Sequence, residues 1–402
     1  MRALILLACV AAASPAAGQS RPRARDLGIP QAGIPGPLNA ITDVAGVEVG
    51  LTTLIRGAGK LVPGQGPVRT GVTAILPRGR NDDRSVFAAW FTLNGNGEMT
   101  GTTWVEESGI LGGPVMITNT HSVGAVHAAT VEYAVGKSQA FTWSLPVVAE
   151  TWDGPLNDIN GFHVTREHAG AALAGARSGP VPEGNVGGGT GMICHGFKGG
   201  TGTSSRRITV SGRPYTLGVL VQCNYGGRAR FSVAGAPVGE EIRDLLPCYM
   251  PLPDGSIAGR PACPASPAGD ADASPDADLG SIIVVLATDA PLLPHQLKRI
   301  ARRASLGIGR MGGIGGNSSG DIFLAFSTAN PNAAADTGLV ALAAIPNEAI
   351  NPLFEAAIDA TSEAILNAML AAETMTGANG YRVQALPHDR LLAALRKYGR
   401  IR

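Results

Sequence analysis

Hydrophobic positions along this chain fall into short runs broken by glycine, with few long periodic stretches. Residues 39–54 (NAITDVAGVEVGLTTL) hold β-type runs interrupted at Gly46 and Gly50, and comparable pieces follow at 71–76, 86–93 and 115–118. Runs of this length between glycine turns predict strands. Residues 282–286 (IIVVL) are continuously apolar and mostly β-branched, the pattern of a strand buried on both faces. In DIFLAFSTAN, Ile322, Leu324 and Phe326 alternate with smaller groups and predict one more strand. Helical signals lie at 165–176, ended by Gly179 and Pro180, at 295–306 after Pro294, and at 388–397. The longest helix is predicted over 351–376, with Asn351 as N-cap, Pro352 in the first helical position and Gly377 as the stop. Its stripe of Phe354, Ala357, Ile358, Thr361, Ile365, Ala368 and Met369 is core, not cofactor surface. Clustered strands with a few long helices predict an α+β layered fold, with sheets between helices.

One junction departs from this pattern. Residues 251–280 are rich in Pro, Ala, Asp, Gly and Ser, hold little to bury, and read as a flexible segment. They run directly into Ser281, at the mouth of the apolar strand. Cleavage between Gly280 and Ser281 would give Ser281 a free α-amine beside its own hydroxyl, so nucleophile and base would share one residue. That amine is far less basic than a lysine and can accept a proton near neutral pH.

Composition narrows the options. The chain has 402 residues, 45% of them hydrophobic, enough for one large core or two ordinary ones. A net charge of +1, with 32 scattered basic residues, argues against nucleic acid or an acidic membrane as partner. Fifty-five glycines imply many tight turns. Arg2, an apolar run over 3–13 and the small residues Ala16, Ala17 and Gly18 read as a secretory signal over 1–18, too short to span a bilayer. An exported product, periplasmic or secreted, is expected. Cys9 lies in that leader; Cys194, Cys223, Cys248 and Cys263 are expected as free thiols, because so large a core needs no staple, with a Cys248–Cys263 bridge as the alternative.

Three candidate chemistries fail on spacing. None of the seven histidines forms HExxH, His163 to His168 has one residue too many for HxxEH, and no CxxC occurs, so no metal and no cofactor are expected. Gly316 to Gly320 matches GxSxG around Ser318, but a glycine loop precedes it and a strand follows, the reverse of a nucleophile elbow. The run GNVGGGTGM at 184–192 lacks the lysine and the acidic residue of nucleotide loops and reads as a sharp turn packed close to something, a substrate included.

Seven ordered blocks carry a resemblance: ITDVAGVEVG, RTGVTAILP, VVAETWDGPLND, GNVGGGTGM, VLVQCNYG, SIIVVLATDAPLLPHQL and SSGDIFLAFSTAN. Together they resemble the L-aminopeptidase/D-Ala-esterase/amidase and β-peptidyl aminopeptidase family over nearly all of the chain beyond the leader, with the β-peptidyl branch nearest. The resemblance implies a four-layer αββα sandwich similar to N-terminal-nucleophile hydrolases but with different connectivity. It implies a self-processing serine aminopeptidase, split at Gly280 and Ser281 into a large chain over 19–280 and a small chain over 281–402 that form one catalytic domain. It makes Ser281 the nucleophile, Ser319 and Asp321 the pair that supports it, Asn224 the oxyanion amide and Glu150 the carboxylate that holds a substrate's free amine. Trp152 stands where one branch has tyrosine, and either donates to the oxyanion or shapes the pocket. Asp321 stands where some members carry glutamate. Substrates would be short peptides, amides or esters with a free N-terminal amine, and the assembly a homo-oligomer, a tetramer of αβ heterodimers. Three alternatives stay open: the L-aminopeptidase/D-esterase branch, a GxSxG hydrolase using Ser318, and a non-catalytic periplasmic binding protein that uses the 184–192 loop as a cradle.

Overall fold

The apolar runs fold into two stacked sheets. The computed structural model describes residues 21–137, 143–264 and 280–402; the expected leader at 1–18 and the stretch 265–279 lie outside the described residues. Along the chain come β1 (Glu48–Arg56), β2 (Val68–Leu76), β3 (Val86–Thr92), α1 (Thr102–Ser108), β4 (Ile110–Leu111), β5 (Val115–Asn119), α2 (Val123–Lys137), β6 (Val147–Thr151) and α3 (Arg166–Ala174). Next are β7 (Ile193–Cys194), β8 (Phe197–Lys198), β9 (Gly200–Val210), β10 (Arg213–Asn224), α4 (Val238–Glu241) and β11 (Cys248–Tyr249). After the junction come β12 (Ser281–Thr288), α5 (Pro294–Arg310), β13 (Ile322–Ser327), α6 (Asn351–Ala371), β14 (Met375–Thr376), β15 (Tyr381–Val383) and α7 (His388–Lys397).

The strand order is β1-β2-β5-β6 in one sheet and β4-β3-β13-β12-β10-β9 in the other. Strand β12 shows why the sheets stack. Ile282, Val284 and Leu286 pack toward α5 and α6, while Ile283, Val285 and Ala287 meet Ile75, Ile117, Val147 and Ala149 of the facing sheet. A period of two with both faces apolar can be satisfied only between two layers. On the far side, Val72, Ala74, Met116 and Val148 pack against Val126 and Ala129 of α2 and Ala169, Ala172 and Leu173 of α3. The result is the four-layer αββα sandwich, with β12 and β13 in the interior of a sheet whose other strands precede the junction.

Several local expectations change. The other expected strands and helices are present, but the run from 39 forms a 3-10 turn at Ile41–Asp43 before β1, which runs through Gly50, and α1, α2 and α4 were not anticipated. In α2 only Val126, Ala129 and Thr130 are buried, and its remaining valines and alanines lie around the helix, so no sharp apolar stripe marks it. The longest helix stops at Ala371, because Met375 and Thr376 instead pair with β15, and Ile350 takes the N-cap place expected for Asn351. The cysteines expected as free thiols are paired, Cys194 with Cys223 and Cys248 with Cys263. Residues 251–264 form a loop closed by the second bridge, with the amides of Tyr249 and Cys263 bonded at 2.9 Å to the carbonyls of Pro261 and Tyr249. No helix among the described residues is long and apolar enough to cross a membrane.

A polar hub inside the helical layer was also missed. Glu363 of α6 is fully buried, pairs with Arg206 at 2.6 Å and with Arg25 at 3.0 Å, and accepts from Asn39 Nδ2 at 2.7 Å. It ties the segment before β1 and strand β9 to the helix. Removing one partner of a buried pair leaves the other charge uncompensated, which costs about 3–5 kcal/mol. Glu363→Ala should therefore lower the melting temperature by several degrees, and Glu363→Gln, which keeps an acceptor for Asn39, by less. Equal melting curves for Glu363→Ala and wild type would remove the hub from the stability account.

Candidate active site

The register of β12 assembles the site. It pairs antiparallel with β10 so that Ser281 faces Asn224, and parallel with β13 so that Ile283 faces Ile322. Counting back along that parallel pair brings Gly320 level with Ser281, and the Gly320 amide donates to Ser281 Oγ at 3.1 Å. By the two-residue alternation, Ser281 shares the inter-sheet face with Ile283, and Asn224 shares it with Leu220. Both side chains are almost fully buried.

Gly280 has a φ of +141°, and a Cβ there would stand 2.0 Å from the Asn224 carbonyl oxygen. Only glycine combines that backbone angle with so close an approach.

Ser319 and Asp321 lie directly behind the serine. Asp321 Oδ1 accepts from Ser319 Oγ at 2.6 Å and from the Ile282 amide at 3.2 Å, so the carboxylate reaches the backbone one residue past the junction. Asn94, just after β3, accepts the Asp321 amide at 2.6 Å and donates to Asp321 Oδ2 at 3.3 Å. Asn224 is oriented from both ends. Its Oδ1 accepts the Ile193 amide at 2.8 Å and its Nδ2 donates to the Trp152 carbonyl at 3.0 Å, which leaves the second amide hydrogen for another acceptor.

Glu150 is the penultimate residue of β6, almost fully buried. One oxygen accepts the Glu98 amide at 3.0 Å and the other accepts from Thr120 Oγ1. Burial pushes its pKa above the ordinary glutamate value, against the lowering effect of these two neutral donors. Among the described residues it has no salt bridge, so its negative charge is only partly compensated. Trp152 is 48% exposed, and Phe162 is 65% exposed with a φ of +51°. A bulky side chain in that region is an outlier. Phe162 stacks on His121 at 6.1 Å, and His121 acts electrostatically on Glu150.

The structure thus gathers Ser281, Ser319, Asp321 and Asn224 around the junction, while Glu150 and Trp152 stand at the end of β6. Asn94, Thr120, His121 and Phe162 were missed. The doubled Asn-Gly of Asn94 to Gly97, directly after a buried strand, was the available signal. Ser318 is exposed on a turn that leads into β13, not into a helix, which removes the elbow geometry. The glycine loop is the expected tight turn: residues Gly187–Gly191 form a buried 3-10 turn, and a Cβ on Gly188 would stand 2.1 Å from Gln222 Oε1. Among the described residues no three His, Cys, Asp or Glu gather as a metal site.

Comparison with known proteins decides the family. The model of peptidase family S58 matches residues 39–383. The chain belongs to peptidase family S58. This S58 chain is 57% identical over 387 residues to the β-peptidyl aminopeptidase BapA of Sphingosinicella microcystinivorans, covering 96% of this chain and 95% of that protein. Its fold matches the L-aminopeptidase D-Ala-esterase/amidase of Ochrobactrum anthropi, described as a prototype for the serine aminopeptidases and a variant of the Ntn hydrolase fold. There the TM-score is 0.83 at 48% identity, covering 95% of this chain and all of the other. A Burkholderia sp. β-aminopeptidase matches with a TM-score of 0.80 at 46% identity, over 94% of this chain and 99% of that one.

Asp153 fixes the turn after Trp152 in this S58 chain. It is fully buried and accepts from Asn119 Nδ2 at 3.1 Å and Asn157 Nδ2 at 3.0 Å, while burial pushes its carboxyl up to about 6 from 3.8. Between those values the native chain holds a proton that the unfolded chain has released. The contribution is full below the unfolded value and is lost as pH rises through about 6. The total is about 3 kcal/mol at roughly 1.4 kcal/mol per pH unit. Melting wild type and Asp153→Asn across pH 4 to 7 should show the wild type's relative advantage shrinking as pH rises; a constant difference would show that Asp153 stays ionised.

Proposed function

We propose that this chain is a self-processing serine aminopeptidase. It cuts its own Gly280–Ser281 bond and then releases N-terminal residues, β-amino acids among them, from short peptides, amides or esters. The observation that carries this is the junction itself: Ser281 Oγ held by the Gly320 amide, opposite Asn224, with a glycine conformation immediately before it. In the precursor, Ser281 Oγ attacks the Gly280 carbonyl carbon and the C–N bond breaks. The hydroxyl proton ends on the departing amine, and water hydrolyses the resulting ester. The freed α-amine then takes the Oγ proton when a substrate carbonyl is attacked and returns it to the leaving group. Ser319 and Asp321 orient that amine, the free N–H of Asn224 faces the oxyanion, and Glu150 binds the substrate ammonium. Trp152 forms the exposed wall beside Glu150.

The β-amino acid preference is supported by identity to a β-peptidyl aminopeptidase; the L-aminopeptidase/D-esterase reading is supported by the fold match. Export of the enzyme fits the sequence of 1–18 and the two disulfides. Assembly as a tetramer of αβ heterodimers belongs to the same reading.

Purified protein should contain a small chain of 122 residues (402 − 280) beginning at Ser281, whereas Ser281→Ala should stay a single chain. Gly280→Ala displaces the scissile carbonyl against Asn224 and should slow self-cleavage by about tenfold or more, since misplacement of about 1 Å can cost on the order of a hundredfold. Cleavage of Ser281→Ala at the same bond would assign the cut to another protease.

Glu150→Gln tests the amine site. A charge-assisted hydrogen bond of about 1.5–3 kcal/mol predicts a loss of roughly ten- to a hundredfold in kcat/KM. Self-cleavage should survive, because the scissile bond offers Glu150 no amine. Wild type should reject N-acetylated substrates, and the variant should discriminate less. Unchanged discrimination would show that another group recognises the amine.

A further inference from the structure

One buried cation has no part in this mechanism. Lys198, in β8, is fully buried and donates to the carbonyls of Met192 at 2.7 Å and Gly199 at 2.9 Å; no carboxylate pairs with it among the described residues. Burying an ammonium among neutral acceptors is unfavourable, and burial pulls the Lys198 pKa from 10.5 down to about 7, so only its protonated form carries the charge; the hairpin it serves is fastened without it. The Gly199 amide already bonds the Met192 carbonyl at 2.9 Å, the His195 amide bonds the Tyr225 carbonyl at 2.8 Å, and Cys194 is bridged to Cys223.

The carbonyl that Lys198 holds belongs to the same peptide unit as the Ile193 N–H, which donates to Asn224 Oδ1 at 2.8 Å. That unit is planar and conjugated, so a positive charge on its oxygen strengthens its N–H as a donor. The strengthened N–H polarises the Asn224 amide in turn. We propose that Lys198 is a positioning residue that acts through the Met192–Ile193 peptide on Asn224, fixing and polarising the amide that faces the oxyanion. This rests on the oxyanion reading of Asn224. The order is ammonium, peptide, side-chain amide, oxyanion, each donating to the next; the cation stabilises transition-state charge without touching substrate.

The test is a double-mutant cycle with Lys198→Met and Asn224→Ala, reading kcat and KM on processed enzyme and the self-cleavage rate on precursor. Lys198→Met should lower kcat by about ten- to a hundredfold with KM within about threefold, the scale of one charged hydrogen bond. Asn224→Ala should lower kcat by on the order of a hundred- to a thousandfold. In the Asn224→Ala background Lys198→Met should then have almost no further effect. Multiplicative losses, a loss confined to KM, or an unchanged kcat in Lys198→Met would overturn the relay. Full activity in Asn224→Ala would overturn the oxyanion reading itself, whereas loss there without loss in Lys198→Met sinks only the relay. If Lys198→Met does not fold, Lys198→Gln replaces it, keeping donors for the same carbonyls without the charge, and should give an intermediate kcat. Failure of both variants to fold would assign Lys198 to structure alone.

Discussion

The last rung of the β10–β12 ladder, where Asn224 faces Ser281, sets the positions of everything around the junction. A slip of one residue would turn Ser281 to the helical face and bring Ile282 into its place, since successive side chains alternate. The register is held from both edges, because β12 is paired with β10 along its whole length and with β13 from Ile283 to Thr288, and a slip would have to break both ladders. The pairing also holds the Gly280 backbone against the Asn224 carbonyl, so the sheet itself fixes the approach at the junction.

The same topology explains why a cut there would not take the fold apart. Strand β12 lies between β10 and β13, and its apolar side chains, at roughly 1.5–3 kcal/mol each, remain buried whether or not the bond before Ser281 is intact. What a cut changes is local. A new amine at Ser281 would emerge in a nearly closed site, where desolvation disfavours its charged form. Asp321 is already tied to the adjacent Ile282 amide and to Ser319 Oγ.

Much of this was legible in the sequence, for physical reasons. The run 282–286 announced a doubly buried strand because both its faces must be covered, and the composition before it marked the junction. The pair of Ser319 and Asp321 came from resemblance, and its nearness to Ser281 became a physical statement only once the parallel β12–β13 register was known. Helix α2 escaped because it buries few residues, and the Cys194–Cys223 bridge because spacing says nothing of pairing, whereas Cys248–Cys263 is the alternative the loose segment offered. Asn94, Thr120 and Phe162 escaped because their partners lie far off in sequence, or because their significance is a backbone angle that no residue pattern encodes.

The buried charges divide by what surrounds them. Glu363 has two arginines, and the group as a whole binds the N-terminal segment and β9 to α6. Glu150 and Lys198, in contrast, are met by neutral donors and neutral acceptors. A paired charge in the interior adds little field beyond its partner, whereas an uncompensated one retains most of its field at low effective dielectric. Leaving these two without a full counter-charge is unfavourable for folding, and that penalty falls when an opposite charge arrives. In the mechanism we propose, the charge arriving at Glu150 is an ammonium, and the one that reaches Lys198 through the Ile193 peptide and Asn224 is an oxyanion that exists only during the reaction. In that proposed mechanism the ion-paired group secures the architecture, while Glu150 and Lys198 serve opposite ends of one bound substrate, its amine and its reacting carbonyl.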